Sequence, residues 1–163
     1  MTLVVRAATA ADDLAAAGRI VQQANFALPG YPRDDEYDEL LGDIAGRLHD
    51  TTVVIALDDD RVVGCLTFLD DPASPHAEHG DDAAASFRYF GVDPSVQGKG
   101  VGEAMVQWCI DTARAEGLQR LRIHTLEMMP GAQRLYQRMG FVREPEHDED
   151  WDGIIGLAFV FHL

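Results

Sequence analysis

Phe90-Gly91-Val92-Asp93-Pro94-Ser95-Val96-Gln97-Gly98-Lys99-Gly100-Val101-Gly102 is the stretch on which the reading of this chain turns. It begins as the end of an apolar strand, turns at Asp93-Pro94, and then carries glycine at positions 98, 100 and 102. Glu103 to Glu116 follows with the periodicity of a helix. A strand that leads through a glycine-rich turn into a helix N-terminus suits a phosphate group. The first amides of the helix lack intrahelical acceptors, and the helix dipole favours negative charge there. Successive turn amides can close around the same oxygens. Glycine tolerates positive φ and lets a ligand come close to the main chain. Taken alone, the loop is either such a cradle or a plain helix-entry turn.

Working outward, 163 residues with 47% hydrophobic content suit one globular domain covering 1–163. The longest apolar runs, Val53 to Leu57 and Ile154 to Phe161, are too short to cross a bilayer, so no membrane partner is expected. The first residues lack the basic-then-apolar layout of a secretory leader, and the expected location is cytoplasmic. Cys65 and Cys109 fall in apolar elements and read as buried thiols rather than a disulfide framework. A net charge of −15 repels a phosphate backbone and argues against nucleic acid as a partner. Lys99 is the single lysine of the chain, and it lies inside the glycine loop, where an anionic ligand would need a cation.

Leu3, Val4 and Val5 predict a first strand over Thr2–Ala7. Thr9 is the candidate N-cap of a helix carrying Leu14, Ala17, Ile20, Val21 and Ala24 at helical spacing. Pro29, Gly30 and Pro32 break it, and a second amphipathic helix is expected from Asp35 to His49. Tyr31 and Tyr37 in this region are either packing residues or part of an acceptor entrance. Thr52–Leu57, the turn Asp58-Asp59-Asp60 and Arg61–Leu69 read as a hairpin. Asp70–Asp82 is a loop containing His76-Ala77-Glu78-His79; two histidines three apart without a third ligand do not make a metal site, and no metal is expected. Ala84–Val92 is the strand entering the glycine loop. After the long helix, Gly117 is a stop, Leu121–Leu126 a strand, Gly131–Met139 a short helix, Phe141–Arg143 a strand, Pro145–Asp152 an acidic loop and Ile154–His162 a last strand.

Two familiar phosphate motifs fail on the loop. The P-loop needs Ser or Thr after its lysine, and Gly100 stands there. The dinucleotide fingerprint belongs to the first βαβ unit and would need a small residue at Glu103. A third pattern fits. Gln97-Gly98-Lys99-Gly100-Val101-Gly102 resembles the Gln/Arg-x-x-Gly-x-Gly/Ala signature of the GNAT (GCN5-related N-acetyltransferase) superfamily. Leu135-Tyr136-Gln137-Arg138-Met139-Gly140-Phe141 resembles that family's Leu-Tyr-x-x-x-Gly-Phe segment, and the order of elements agrees over nearly the whole chain.

The resemblance implies an α/β fold of α+β type: a mixed, mostly antiparallel central sheet of about six to seven strands flanked by about four helices. It implies acetyl-CoA as co-substrate, with main-chain amides of Gly98, Lys99, Gly100, Val101 and Gly102 on the pyrophosphate and Gln97 opening the loop. Main-chain groups of Phe90 and Val92, around Gly91, would pair with the pantetheine arm like an added strand. It implies N-acetyl transfer to a primary amine of a small molecule or peptide, directly and within a ternary complex. Tyr136 matches the tyrosine that protonates the departing thiolate, which suits a phenol of pKa about 10 facing a thiolate of pKa about 8.5. Family members often dimerise, which leaves room for a homodimer.

The sequence departs from the family at two places. Met129 stands where many members have asparagine, and Ser86 where many have a glutamate base. An alkyl amine is neutral in only roughly one molecule in 2,500 at pH 7, so a base is wanted; Glu127 at a strand end is the first substitute, then Glu78 and His79, and a water-relayed proton path or an acceptor of low pKa would serve equally. The same departures support a second reading, a GNAT-like domain that binds acyl-CoA as a sensor or interaction module without turnover.

Overall fold

The computed structural model describes residues 1–163. In chain order the elements are β1 (Leu3–Ala7), α1 (Leu14–Phe26), α2 (Asp35–Gly42), α3 (Ile44–Arg47), β2 (Thr52–Asp58), β3 (Arg61–Leu69), β4 (Ala84–Val92), α4 (Val101–Ala115), β5 (Arg120–Leu126), α5 (Pro130–Met139), β6 (Val142–Arg143), β7 (Glu149–Trp151) and β8 (Ile154–His162). The strands form one mixed sheet in the order β1-β2-β3-β4-β5-β8-β6, with β7 also on β8. The β4–β5 pairing is parallel; β1–β2, β2–β3, β5–β8, β6–β8 and β7–β8 are antiparallel. This is the expected mixed α/β fold. No helix is long and apolar enough to cross a membrane.

Helices and strands each number one more than expected, for local reasons. The helix expected over Asp35–His49 is two pieces, because Asp43 leaves the helical region at φ −85°, ψ 71° and its carboxylate accepts the Gly46 N–H at 3.0 Å, capping α3. The loop expected at Pro145–Asp152 contains β7. The N-cap of α1 is Asp13 rather than Thr9: its carboxylate accepts the Ala16 N–H, while Asp12 is turned away to Arg6 at 2.7 Å.

The chain divides into two compact units, Met1–Phe68 with Tyr89–Trp108, and Leu69–Arg88 with Cys109–Leu163. In the first unit, Ile20, Val21, Leu41, Ile44, Ile55 and Cys65 belong to one buried cluster. The β2–β3 hairpin turns at Asp59 and Asp60, both at positive φ (47° and 68°), as a two-residue loop requires. Arg47 is buried, and its guanidinium is satisfied by the Leu40 and Leu41 carbonyls and the Thr67 hydroxyl. It also lies 4.4 Å from the Tyr89 ring centroid.

In the second unit, alternation along β5 sends Leu121, Ile123 and Thr125 to a buried face and Arg120, Arg122 and His124 to a half-buried one. The buried face is aromatic: Tyr136 lies 5.7 Å from Phe87, 5.6 Å from Phe141 and 6.2 Å from Phe159 between ring centroids. On the opposite, polar face, Asp81 accepts from Arg120 at 2.7 Å and Arg122 at 2.8 Å, and Arg122 also holds Glu144. Burial pushes the Asp81 carboxyl up, but the two arginines and the Ala83 amide outweigh it and hold it below the usual carboxylate range.

Candidate functional site

The glycine loop leaves β4 through Asp93, whose carboxylate accepts the Ser95 N–H at 2.8 Å and starts the turn Pro94–Val96. Val96 is buried and anchors the loop, while Gln97, Gly98, Lys99 and Gly100 are exposed. Gly98 and Gly100 take φ of +79° and +84°, with open space where a Cβ would stand. The positive φ, not crowding, therefore demands glycine at both positions. The first bond of α4 runs from the Ala104 N–H to the Gly100 carbonyl at 3.0 Å. The amides of Val101, Gly102 and Glu103 thus precede the helical ladder at its positive end. Lys99 adds an exposed cation to the same turn.

β4 is bent just before this loop. Tyr89 has φ +54°, an outlier for an aromatic residue within a strand. Such a conformation costs on the order of 1–3 kcal/mol and persists where the surroundings over-determine it. Here Arg47 lies over one side of the ring, and Tyr37 packs at 6.5 Å. Sequence reasoning missed Tyr89, because nothing in its type announces a left-handed backbone. Two residues on, Gly91 is buried, and a Cβ there would come within 2.8 Å of the Ile20 carbonyl and Val21 Cα. Its glycine lets α1 approach the strand. Phe90 and Val92 are half-buried beside it, and the Gln97 side-chain amide reaches back to the Val92 carbonyl at 3.4 Å.

Tyr37 is exposed beside Tyr89, whereas Tyr31 packs 5.8 Å from the Phe26 ring. The Tyr31 hydroxyl donates to Asp38 at 2.8 Å, and Arg33 Nε donates to the same carboxylate at 2.7 Å. Burial pushes Asp38 up, and these donors pull it below its ordinary value.

In the second unit the β4–β5 ladder is short. It pairs Ala84 with Arg120 and Ala85 with Leu121, while β5 continues to Leu126. That part of β5 carries an edge outside the β4 ladder, the kind of edge an extended amide-bearing chain can join. Tyr136 of α5 is buried. Desolvation first, and Cys109 second, push its phenol upward, which keeps it protonated. Burial likewise raises Cys109, and raises Cys65 to about 12, so both cysteines are inert thiols.

Met129 occupies the N-cap of α5 without a side-chain capping bond, and its Sδ accepts from Thr125 Oγ1 at 3.6 Å. Glu127 is exposed at the end of β5, its N–H on the Ile155 carbonyl at 3.3 Å. Ser86 is buried on β4 with no partner for its hydroxyl, an arrangement that costs about 1–3 kcal/mol.

The His76–His79 segment is tied to β4 through Arg88. Arg88 donates to the His76 carbonyl at 2.8 Å and stands 3.8 Å from Glu78. His79 Nδ1 accepts the Asp81 N–H at 3.1 Å, and desolvation lowers its pKa. Elsewhere Glu144, Glu146 and His147 bring ligand atoms within 4.8 Å of one another, but Arg122 already holds Glu144.

Comparison with known proteins converges on one family. Residues 19–141 match the model of the acetyltransferase (GNAT) family. A GCN5-related N-acetyltransferase from Kribbella flavida is 26% identical, with a TM-score of 0.70 over 99% of this chain and 98% of that one. A GNAT family acetyltransferase from Elizabethkingia anophelis, solved with acetyl-CoA bound, shares the fold at 16% identity, with a TM-score of 0.67 over 99% and 98% of the two chains. A mycothiol acetyltransferase of Beutenbergia cavernae is 33% identical over 67 residues, which is 41% of this chain and 23% of that protein. The chain thus spans about a quarter of the length of this curated relative.

Proposed function

Because the chain belongs to the acetyltransferase (GNAT) family, we propose that it is an acetyl-CoA-dependent N-acetyltransferase acting on a primary amine by direct transfer. The observation that carries this reading is the loop Gln97–Gly102. It has two glycines at positive φ, free helix-entry amides and the only lysine of an acidic chain. Amides of Gly98 to Gly102 hold the coenzyme pyrophosphate, with Gln97 at the loop entrance and Lys99 as counter-charge. The bent end of β4, through Phe90 and Val92, lines up the pantetheine amides, and Gly91 keeps that strand tight against α1.

The chemistry is aminolysis of a thioester. The amine nitrogen attacks the acetyl carbonyl, the tetrahedral intermediate collapses to an amide, and the C–S bond breaks. Glu127 takes one proton from the acceptor ammonium before attack, which frees the lone pair, and the second nitrogen proton, released as the intermediate collapses, replaces the one that Tyr136 gives up. Tyr136, kept protonated by burial, gives its proton to the leaving thiolate. The mycothiol acetyltransferases, matched over about a quarter of their length, are named for acetyl transfer and do not choose the acceptor of this chain.

Release of free CoA thiol from acetyl-CoA, followed across a panel of diamines, amino acids, aminosugars and peptides, tests the proposal. Saturable release with at least one amine is expected. Tight acetyl-CoA binding with no release for any amine would contradict it and favour a non-catalytic acyl-CoA-binding module, the reading to which Ser86 and Met129 lend support.

A further inference from the structure

Trp151 keeps 38% of its surface exposed, yet its position is over-determined. It is the last residue of β7 before the turn Asp152-Gly153, whose φ of 54° and 90° suit a two-residue hairpin. Asp150 Oδ1 closes that turn by accepting the Gly153 N–H at 2.6 Å. The ladder pairs Trp151 with Ile154 and Glu149 with Gly156. The indole lies diagonally across Gly156, where a Cβ would stand 2.6 Å from two ring atoms. Only glycine leaves room for the ring.

On β5, His124 meets the indole edge-on at 5.5 Å, and His124 Nε2 donates to the His147 carbonyl at 2.8 Å. Strand alternation and the β5–β8 register put Glu149, Trp151, Gly156, Leu126 and His124 on one face. A large aromatic ring fixed on both sides and left open to water offers a preorganised π face.

The local charge says which ligand. From Glu144 to Leu163 the chain has no lysine or arginine and six carboxylates. Glu144 and Asp148 answer Arg122 and Arg143, while Glu149, Asp150 and Asp152 pair with no cation. A rigid indole face beside unpaired carboxylates attracts an organic ammonium through the ring quadrupole and through charge together.

We propose that Trp151 and Glu149 form a recognition platform for an alkylammonium group, the second, non-reacting cation of a diamine-like acceptor. Naming that ligand an acceptor rests on the acetyl-transfer reading above; the binding of the cation does not.

The test is a titration of the ¹⁵N-labelled full chain with 1,4-diaminobutane, following the two indole N–H resonances of Trp108 and Trp151, assigned with Trp151→Phe. The Trp151 resonance is expected to shift saturably while that of Trp108 stays still, and neither 1,4-butanediol nor succinate should reproduce the shift. By calorimetry, Glu149→Gln should weaken diamine binding about threefold and Trp151→Ala about tenfold, with Trp151→Phe between wild type and Ala. An unresponsive Trp151 resonance, or an equal response to butanediol, would overturn the proposal. So would a shift with protein concentration alone, which would identify a second copy of the chain as the occupant. Saturable binding of the diamine without thiol release from acetyl-CoA would leave the cation platform standing and overturn the assignment of the diamine as an acceptor, while the acetyl-transfer reading falls only if no amine of the panel gives release.

Discussion

The glycine loop of the first unit and the hairpin face of the second present opposite kinds of surface. In the loop the chemistry is main-chain: amides aimed outward by two left-handed glycines and a helix start, with Lys99 the one side chain that adds charge. On the hairpin face it is side-chain chemistry, assembled by register. Trp151 of β7 and His124 of β5 meet because both strands align on β8, and Asp81, from the loop before β4, joins Arg122 on β5. A backbone cradle tolerates almost any side chain except at its glycines. A side-chain face can change ligand with one substitution.

Substitutions should separate the two regions, and the largest effect falls on the loop. Gly100→Val forces a β-branched residue to φ +84° in an exposed turn with open space. Acetyl-CoA affinity should fall about tenfold to a hundredfold by calorimetry, while the strain of about 1–3 kcal/mol lowers the melting temperature by several degrees. Tyr136→Phe should lower kcat by about a hundredfold with acetyl-CoA binding intact, and unchanged turnover would remove Tyr136 from the reaction.

The polar face should respond in stability rather than in donor binding. Asp81→Ala leaves Arg120 and Arg122, both largely buried, without their shared carboxylate. A loss of about 1–2 kcal/mol in urea unfolding is expected, with acetyl-CoA affinity unaltered.

The smallest effect is a pH effect on the same face. Desolvation lowers the pKa of His79, whose Nδ1 accepts the Asp81 amide. Its stabilising contribution is therefore complete above the ordinary histidine value and is lost as pH falls through the lowered one. Protection factors of residues 79–83, corrected for the intrinsic exchange rate at each pH, should fall as pH drops below the ordinary histidine pKa of about 6.5, while those of residues 96–104 stay unchanged. An equal fall in protection in both segments would blur the distinction.

The same contrast decides what could be read from sequence. The loop was legible because glycine spacing and a helix start are local, and the second motif, Leu135–Phe141, lies at a fixed distance from it. Burial of Cys65 and Cys109 followed from the apolar elements they sit in. The split between α2 and α3 was not legible, because Asp43 is one acid among many and only its cap on Gly46 shows that it ends a helix. Tyr89 was hidden for a different reason: its positive φ comes from Arg47 and Tyr37, distant in sequence. The platform at Trp151 escaped notice because β7 is three residues long and Gly156 acquires its role only through the ladder.

Central to all of this is the loop as the holder of the coenzyme pyrophosphate. Its most direct test is a calorimetric cycle, with acetyl-CoA and S-acetylpantetheine each titrated into the wild-type chain and into Gly100→Val. A loop that binds pyrophosphate predicts that wild type prefers acetyl-CoA by about a hundredfold or more, and that the substitution removes most of this preference while S-acetylpantetheine binds both proteins alike. If Gly100→Val weakened both ligands equally, or wild type bound both equally well, the loop would not be the pyrophosphate site.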